Sequence, residues 1–306
     1  IESTREADRD LGQAILDVLI PESGNAIRVG VTGPPGVGKS TFIEALGLHL
    51  VERGKRVAVL AVDPSSPVTG GSILGDKTRM ERLSVRPEAF IRPSPSGGSL
   101  GGVAHRTREA MLLCEAAGYD VILIETVGIG QSEVSVASMV DFFLVLLRPS
   151  GGDELQGIKK GVVELADALV VNKADGAMAP AAERTRVDYA SALDLIHPGS
   201  DAWRPRALAA SALQEEGVAA VWDTILEHDA LMHETGHFER RRKSQARAWM
   251  WKLIDEGIGR AFRDRPGMRE AIARQEAAVA AQKTTPAAAA RTLLEAFLAA
   301  SGVGRD

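Results

Sequence analysis

The sequence predicts an α/β protein: a mostly parallel, doubly wound sheet with a helical extension before it and a helical arm after it. Three observations carry this. Near-continuous apolar runs recur along the chain, as in strands covered on both faces. Segments with apolar residues at helical spacing lie between them. The runs end in short polar clusters, and the carboxyl ends of parallel strands are where such sheets bind ligands. The expected organisation is an extension over 1–25, a sheet domain over 26–230 and an arm over 231–306.

Composition narrows the function classes. The 306 residues are 45% hydrophobic and 25% charged, the balance of a globular chain with a sizeable core. A net charge of −5 gives no support to a nucleic-acid surface, and no nucleic-acid partner is expected. The single cysteine, Cys114, excludes an internal disulfide and cysteine-rich metal sites, and fits a reducing compartment. No apolar run approaches the ~18 residues of a membrane span, so no membrane partner is expected.

Taken in order, residues 2–20 read as an amphipathic helix with Leu11, Ile15, Val18 and Leu19 on one face. Residues 21–25 break it, and 27–31 read as a buried strand. Gly33-Pro34-Pro35-Gly36-Val37-Gly38-Lys39-Ser40 follows, with Thr41 opening a helix that carries Phe42, Leu46 and Leu50. This is the G-x-x-x-x-G-K-[ST] P-loop in its required strand–loop–helix context. Its N–H groups and the positive helix end suit phosphates. Lys39 would reach the β- and γ-phosphates and Ser40 would ligate Mg²⁺.

The next strand, 56–62, ends at Asp63. There a carboxylate can hold Mg²⁺ through water, or simply form the turn before Pro64. Residues 68–80 are glycine-rich and then charged, the pattern of a switch loop. In it Asp76 and Arg79 read either as Mg²⁺ and phosphate contacts or as solvated helix-start residues. Residues 90–92 read as a short strand, 94–102 as a loop and 103–117 as a helix.

The strand over 119–124 closes with Glu125-Thr126-Val127-Gly128. Glu125 holds the position of the second Mg²⁺-shell carboxylate, and the Gly128 N–H would sense the γ-phosphate. After a strand over 140–147, the cluster Asp153, Gln156, Lys159 again falls at a strand end. It reads equally as a helix start stabilised by its own dipole.

The strand at 168–171 runs into Asn172-Lys173-Ala174-Asp175, an N-K-x-D element. The Asp175 carboxylate can accept from both N1–H and the 2-amino group of guanine. Adenine offers no such pair and would leave the carboxylate unsatisfied, a discrimination of roughly 10⁴. The Lys173 stem can lie along the base, and Asn172 can brace the loop. A strand over 207–210 leads to Ser211-Ala212-Leu213, whose backbone would support the base O6.

A helix over 215–230 completes the domain. Beyond it lie a basic run at 240–243 and an apolar helical face of Trp251, Ile254, Ile258, Ala261 and Phe262. A helical arm without strands must bury that face on a neighbour, and it reads as a homodimer contact, the alternative being packing on its own domain. His233-Glu234-Thr235-Gly236-His237 matches the H-E-x-x-H zinc pattern, but glycine inside the supposed helix makes it a decoy.

With these elements in place, the chain resembles P-loop GTPases of the MeaB/ArgK family, chaperones of adenosylcobalamin-dependent acyl-CoA mutases. The resemblance covers roughly residues 25–230. It is most specific at 33–41, 62–66, 70–80, 125–132 and 152–160. It implies hydrolysis of GTP to GDP and phosphate with Mg²⁺, slow alone and stimulated by the mutase. It implies a mutase partner, its adenosyltransferase as a second one, and no cobalamin held by this chain. It makes Asp153, Gln156 and Lys159 a third switch and assigns Lys39, Asp63, Asp76, Arg79, Glu125 and Lys159 to catalysis. The implied compartment is the cytoplasm of a bacterium, or the mitochondrial matrix of a eukaryote, with no leader visible ahead of Ile1. One departure stands out: Leu147-Arg148-Pro149-Ser150-Gly151 replaces an expected apolar Leu-Pro-Gly-Ala. The rival class is a metal-insertion GTPase of hydrogenase or urease maturation. That reading needs Cys/His clusters, and Cys114 lacks a neighbouring partner.

Overall fold

The computed structural model describes residue 3 and residues 5–63, 80–95, 100–126, 132–149, 160–196 and 202–299. Its centre is a seven-stranded sheet: β1 (Ile27–Thr32), β2 (Val57–Asp63), β3 (Ala89–Pro95), β4 (Val121–Thr126), β5 (Phe142–Leu147), β6 (Ala168–Val171) and β7 (Arg206–Ala209). The order is β3-β2-β4-β1-β5-β6-β7, and every pair is parallel. The helices are α1 (Glu6–Leu19), α2 (Lys39–Val51), α3 (Glu81–Ser84), α4 (Leu100–Ala116), α5 (Ser132–Ala137), α6 (Lys160–Val163), α7 (Ala179–Ile196), α8 (Val218–Glu234), α9 (His237–Asp264), α10 (Met268–Ala280) and α11 (Pro286–Ala299).

The apolar runs are strands because both of their faces are covered. On one face Val29, Leu123, Leu144 and Val170 pack with Phe42 and Leu46 of α2 and with Val221 and Ile225 of α8. On the other, Ile122, Phe143 and Leu169 pack with Met111 of α4 and Leu193 of α7. Strand β1 lies at the centre, between β4 and β5. The chain leaves its carboxyl end toward β2 on one side and later fills β5 to β7 on the other. That is the switch point where such sheets open a crevice.

Two sequence expectations change in detail. The strand read at 90–92 extends from Ala89 to Pro95, with Pro93 and Pro95 in register with Ala61 and Asp63. Proline ends a strand reading because it donates nothing to a ladder, but β3 is an edge strand, where the missing N–H is tolerated. The face expected to bury α1 is the wrong one. Leu11, Ile15 and Val18 are exposed, whereas Leu16 is buried and Gly12 lies beside it. Helix α1 packs on α4, and Gly12 and Leu16 are buried on it.

Contacts divide the chain into 1–242 and 243–306, later than the expected boundary at 230. Arg242 explains the position. Its guanidinium donates to Asp141 through Nε (2.8 Å) and Nη2 (2.6 Å), and to the carbonyls of Gly24 (2.5 Å) and Ala26 (2.7 Å). Beside it Arg28 makes a bidentate pair with Glu115 at 2.7–2.8 Å, and the Arg28 N–H donates to Asp141. These residues join the chain before β1, the start of β5, α4 and the first turns of α9, at the amino ends of the strands. Nearby, His228 is buried edge-on against Phe142 and Trp203, both at 5.0 Å. Burial pushes its pKa below 6.5, against the pull of Asp167.

In the unit over 243–306, Phe262 packs edge-on against Phe297 at 5.4 Å, and Arg265 donates to the Phe297 carbonyl at 2.6 Å. Met250, Trp251, Ile254 and Ile258 of α9 are exposed. No helix among the described residues is long and apolar enough to cross a membrane.

Removing Arg242 would strand a buried carboxylate. Arg242→Ala should lower unfolding free energy by about 3–5 kcal/mol, measured by urea denaturation. Arg242→Lys should recover only part, because an ammonium cannot make the forked contact.

Candidate functional site

The glycine loop leaves the carboxyl end of β1 and enters α2. Gly33 is forced by contact as well as conformation. Its φ is 149°, and a Cβ there would come within 2.5 Å of the Leu146 carbonyl oxygen on β5. Pro34 and Pro35 have no N–H, so after Gly33 the loop's next donor is Gly36.

The outward carbonyls of the loop are taken up one by one. Lys39 Nζ donates to Gly33 O at 2.8 Å and to Pro34 O at 3.3 Å. Arg148 Nη2 donates to Pro35 O. Lys173 Nζ reaches Gly36 O at 2.9 Å, and Asn172 Nδ2 reaches Val37 O at 2.9 Å. Phe42 N–H closes the first helical turn on Gly38 O at 2.9 Å.

Asn172 and Lys173 come from the end of β6, so the N-K-x-D element and the glycine loop form one structure. Asn172 is 1% exposed and uses both ends of its amide, since Oδ1 also accepts from Ala212 N–H at 3.1 Å. Lys173 holds a φ of 62°, a left-handed conformation that costs a non-glycine residue energy. The Ser211 hydroxyl donates to the half-buried Asp175 carboxylate. Paired backbone bonds between Ser211 and Glu216 (2.9 and 3.1 Å) close the Ser211–Leu213 loop. Leu213 is exposed, whereas Ala212 is buried. Outside the loop, Glu215 accepts from Arg82 at 2.6 Å. Glu44 on α2 in turn caps α3, accepting from Arg82 N–H at 2.8 Å.

At the phosphate end, Ser40 Oγ donates to Glu125 Oε1 at 3.1 Å. Glu125 is buried at the end of β4, and the neighbouring strand ends are tied by Thr126 Oγ1 to Thr32 Oγ1 at 2.6 Å. An alcohol and a carboxylate meeting at a strand end form the hard-oxygen donor set that suits Mg²⁺. Burial lowers the Lys39 pKa; Glu125 and Glu133 pull it back up and Arg148 adds to the lowering.

The structure thus brings together Gly33, Pro34, Pro35, Gly36, Val37, Gly38, Lys39, Ser40, Thr41, Glu125, Asn172, Lys173, Asp175, Ser211, Ala212 and Leu213 at the carboxyl ends of β1, β4, β6 and β7. Asp63 ends β2, and its side chain lies outside the description. Asp76, Arg79, Gly128, Asp153, Gln156 and Lys159 also lie outside the described residues. Sequence reasoning missed Glu133 and the Glu44–Arg82–Glu215 chain, which have no motif spacing. Arg148 did leave a signal, as the departure at 147–151.

The zinc-like pattern comes apart in space. His233 ends α8, Gly236 turns with φ 65° and His237 opens α9. The His233 ring stacks on Phe238 at 3.9 Å. Among the described residues no cluster of His, Cys, Asp or Glu is placed to hold a metal ion, and Cys114 is buried on α4.

Comparison with known proteins adds the lineage. The family model described as methylmalonyl-CoA mutase-associated GTPase MeaB matches residues 1–266. A probable GTPase of Mycobacterium tuberculosis is 54% identical over 295 residues, covering 96% of this chain and 88% of the relative. The mitochondrial methylmalonic aciduria type A homolog of Mus musculus is 48% identical over 307 residues, covering 97% and 74%. The crystal structure of an LAO/AO transport system kinase matches with a TM-score of 0.75 at 38% identity, covering 96% and 89%.

Asp175→Asn should weaken GTP about 10–100-fold, the loss of a charged bidentate pair. It should admit xanthosine triphosphate, because xanthine presents an acceptor where guanine has its amino group. Calorimetric titration with both nucleotides reads the switch; unchanged GTP affinity would remove Asp175 from base recognition.

Proposed function

Because the chain belongs to the MeaB family of methylmalonyl-CoA mutase-associated GTPases, we propose that it is a GTP-hydrolysing chaperone. In this reading it gates the loading and protection of adenosylcobalamin on a cobalamin-dependent acyl-CoA mutase. The observation that carries the nucleotide half is the mutual bracing of the two recognition elements: Asn172 and Lys173 hold the glycine loop while Ser211 holds Asp175. The partner half is supported by the family description and by the methylmalonic aciduria relative. The mutase is the principal partner and its adenosyltransferase a second. Cobalamin stays with those proteins.

The geometry supports a division of labour. Asp175 reads guanine, with Ser211 orienting its carboxylate. Loop N–H groups from Gly36 to Thr41 and the start of α2 receive the phosphates. Lys39 turns from its loop carbonyls to the β- and γ-phosphates. Ser40 and Glu125, with Asp63 and Asp76, hold Mg²⁺. A bound Mg²⁺ supplies neutralisation of charge on the phosphate oxygens. Gly128 N–H contacts the γ-phosphate, and Arg79 is the chain's own candidate cation for the transition state.

Water positioning is the weak point. Ile129 follows Gly128, and the nearest glutamine is Gln131. GTPases that hydrolyse quickly use a glutamine to orient the attacking water. Intrinsic hydrolysis is therefore slow, on the order of 10⁻⁴ to 10⁻² s⁻¹. The mutase supplies the missing order through Asp153, Gln156 and Lys159. The exposed Met250, Trp251, Ile254 and Ile258 face supports a homodimer held by the arm.

Saturating cognate mutase should raise kcat, and Lys159→Ala should lose most of that acceleration while keeping GTP affinity. A wild-type rate unmoved by mutase would defeat the chaperone reading; equal stimulation of both proteins would defeat only the switch.

For the arm, Trp251→Glu with Ile258→Glu should give a monomer by light scattering that still binds GTP. Wild-type protein that is itself monomeric at micromolar concentration would refute the dimer.

A further inference from the structure

The stretch at 147–151 is where this chain departs from its expected pattern, and the structure shows where the departing side chain goes. Arg148 leaves the carboxyl end of β5, between Leu147 at 1% exposed and a buried Pro149. The following proline restricts its backbone to extended conformations, so Arg148 stands on a fixed post. From there it crosses to the glycine loop. Nη2 donates to Pro35 O, and the guanidinium lies over the Cα of Gly36, where a Cβ would collide with it. Gly36 itself turns with φ 75°.

Two further facts define what this cation can do. It is exposed, so its charge is open to an anion arriving from solvent. It also stands beside Lys39, since the two cations donate to successive carbonyls of the same loop, Arg148 to Pro35 O and Lys39 to Pro34 O at 3.3 Å. Two cations held near each other before any anion arrives raise the attraction for a polyanion. Proline at 35 adds a geometric need. The Pro35–Gly36 peptide carries the first N–H available after two prolines, and its carbonyl must stay turned out for that N–H to point in.

We propose that Arg148 is a positioning residue of the phosphate cradle, holding the Pro35–Gly36 peptide in its phosphate-receiving orientation and adding a fixed positive charge for the terminal phosphates. This rests on the nucleotide reading of the glycine loop. The cradle takes the phosphates beyond the first one, so the contribution belongs to GDP and GTP and not to GMP.

The test uses the full chain and competition against fluorescent GDP. Arg148→Ala should weaken GDP and GTP about tenfold, the worth of one charge-assisted contact, and change GMP by less than about twofold on the same reasoning. Arg148→Lys should recover part of the loss through charge, and Arg148→Gln part through the hydrogen bond. The salt dependence of GDP binding should flatten in the alanine and glutamine variants and persist in the lysine variant. GDP affinity unchanged in Arg148→Ala, or equal weakening of GMP and GDP, would overturn the proposal. Wild-type protein that failed to bind GDP would instead overturn the nucleotide reading itself.

Discussion

A loop that offers its N–H groups to an anion must turn its carbonyls outward, and each of those carbonyls then needs a donor. This constraint organises the molecule. The side-chain donors for residues 33–37 are Lys39, Arg148, Lys173 and Asn172, and the Val37 N–H also reaches Pro34 O at 3.3 Å. They come from α2, the end of β5 and the end of β6. Leaving one carbonyl without its donor costs about 1–3 kcal/mol, so the loop's shape depends on those strand ends being adjacent. The order β1-β5-β6 makes them so. The N-K-x-D element and the glycine loop therefore share one set of hydrogen bonds.

The two ends of the sheet carry charge differently. At the amino ends Arg28, Glu115 and Asp141 are buried and Arg242 is half-buried, and the four are matched, guanidinium fork to carboxylate. Such a cluster stays shut, because separating any member exposes another to a medium without water. At the carboxyl ends Lys39, Ser40 and Glu125 are brought together on contacts that a polyanion and a divalent cation can replace, with Arg148 held beside them on Pro35 O. The first arrangement gives rigidity and the second gives reactivity, on opposite ends of the same strands.

Surface apolar residues show what a helix pattern leaves open. In α1 the stripe of Leu11, Ile15 and Val18 has the spacing of a buried face, yet the helix seats itself through Leu16 and the small Gly12. Close approach to α4 favours an edge with a small residue over one crowded with branched side chains. In α9 the exposed Met250, Trp251, Ile254 and Ile258 follow the same periodicity. Periodicity locates an apolar stripe, and the neighbour's shape decides which edge is covered.

Much of this protein is determined locally. The apolar runs become parallel strands because a strand covered on both faces buries every side chain along its four to seven residues. The glycine loop and the N-K-x-D element are legible because each requires particular residue types at fixed spacing: glycines for backbone approach, Lys39 for charge, Asp175 for a paired acceptor. Even the departure at Arg148 is visible as a broken pattern. Its partner is not, since Pro35 lies far away along the chain. The same holds for Ser40 with Glu125, for Glu215 with Arg82, and for Arg242 with Asp141. Each pair joins segments distant in sequence, and no spacing rule links them. Local steric and hydrogen-bonding needs set the elements and the motifs; only the strand order, which brings distant segments within a few ångströms, settles which charges meet.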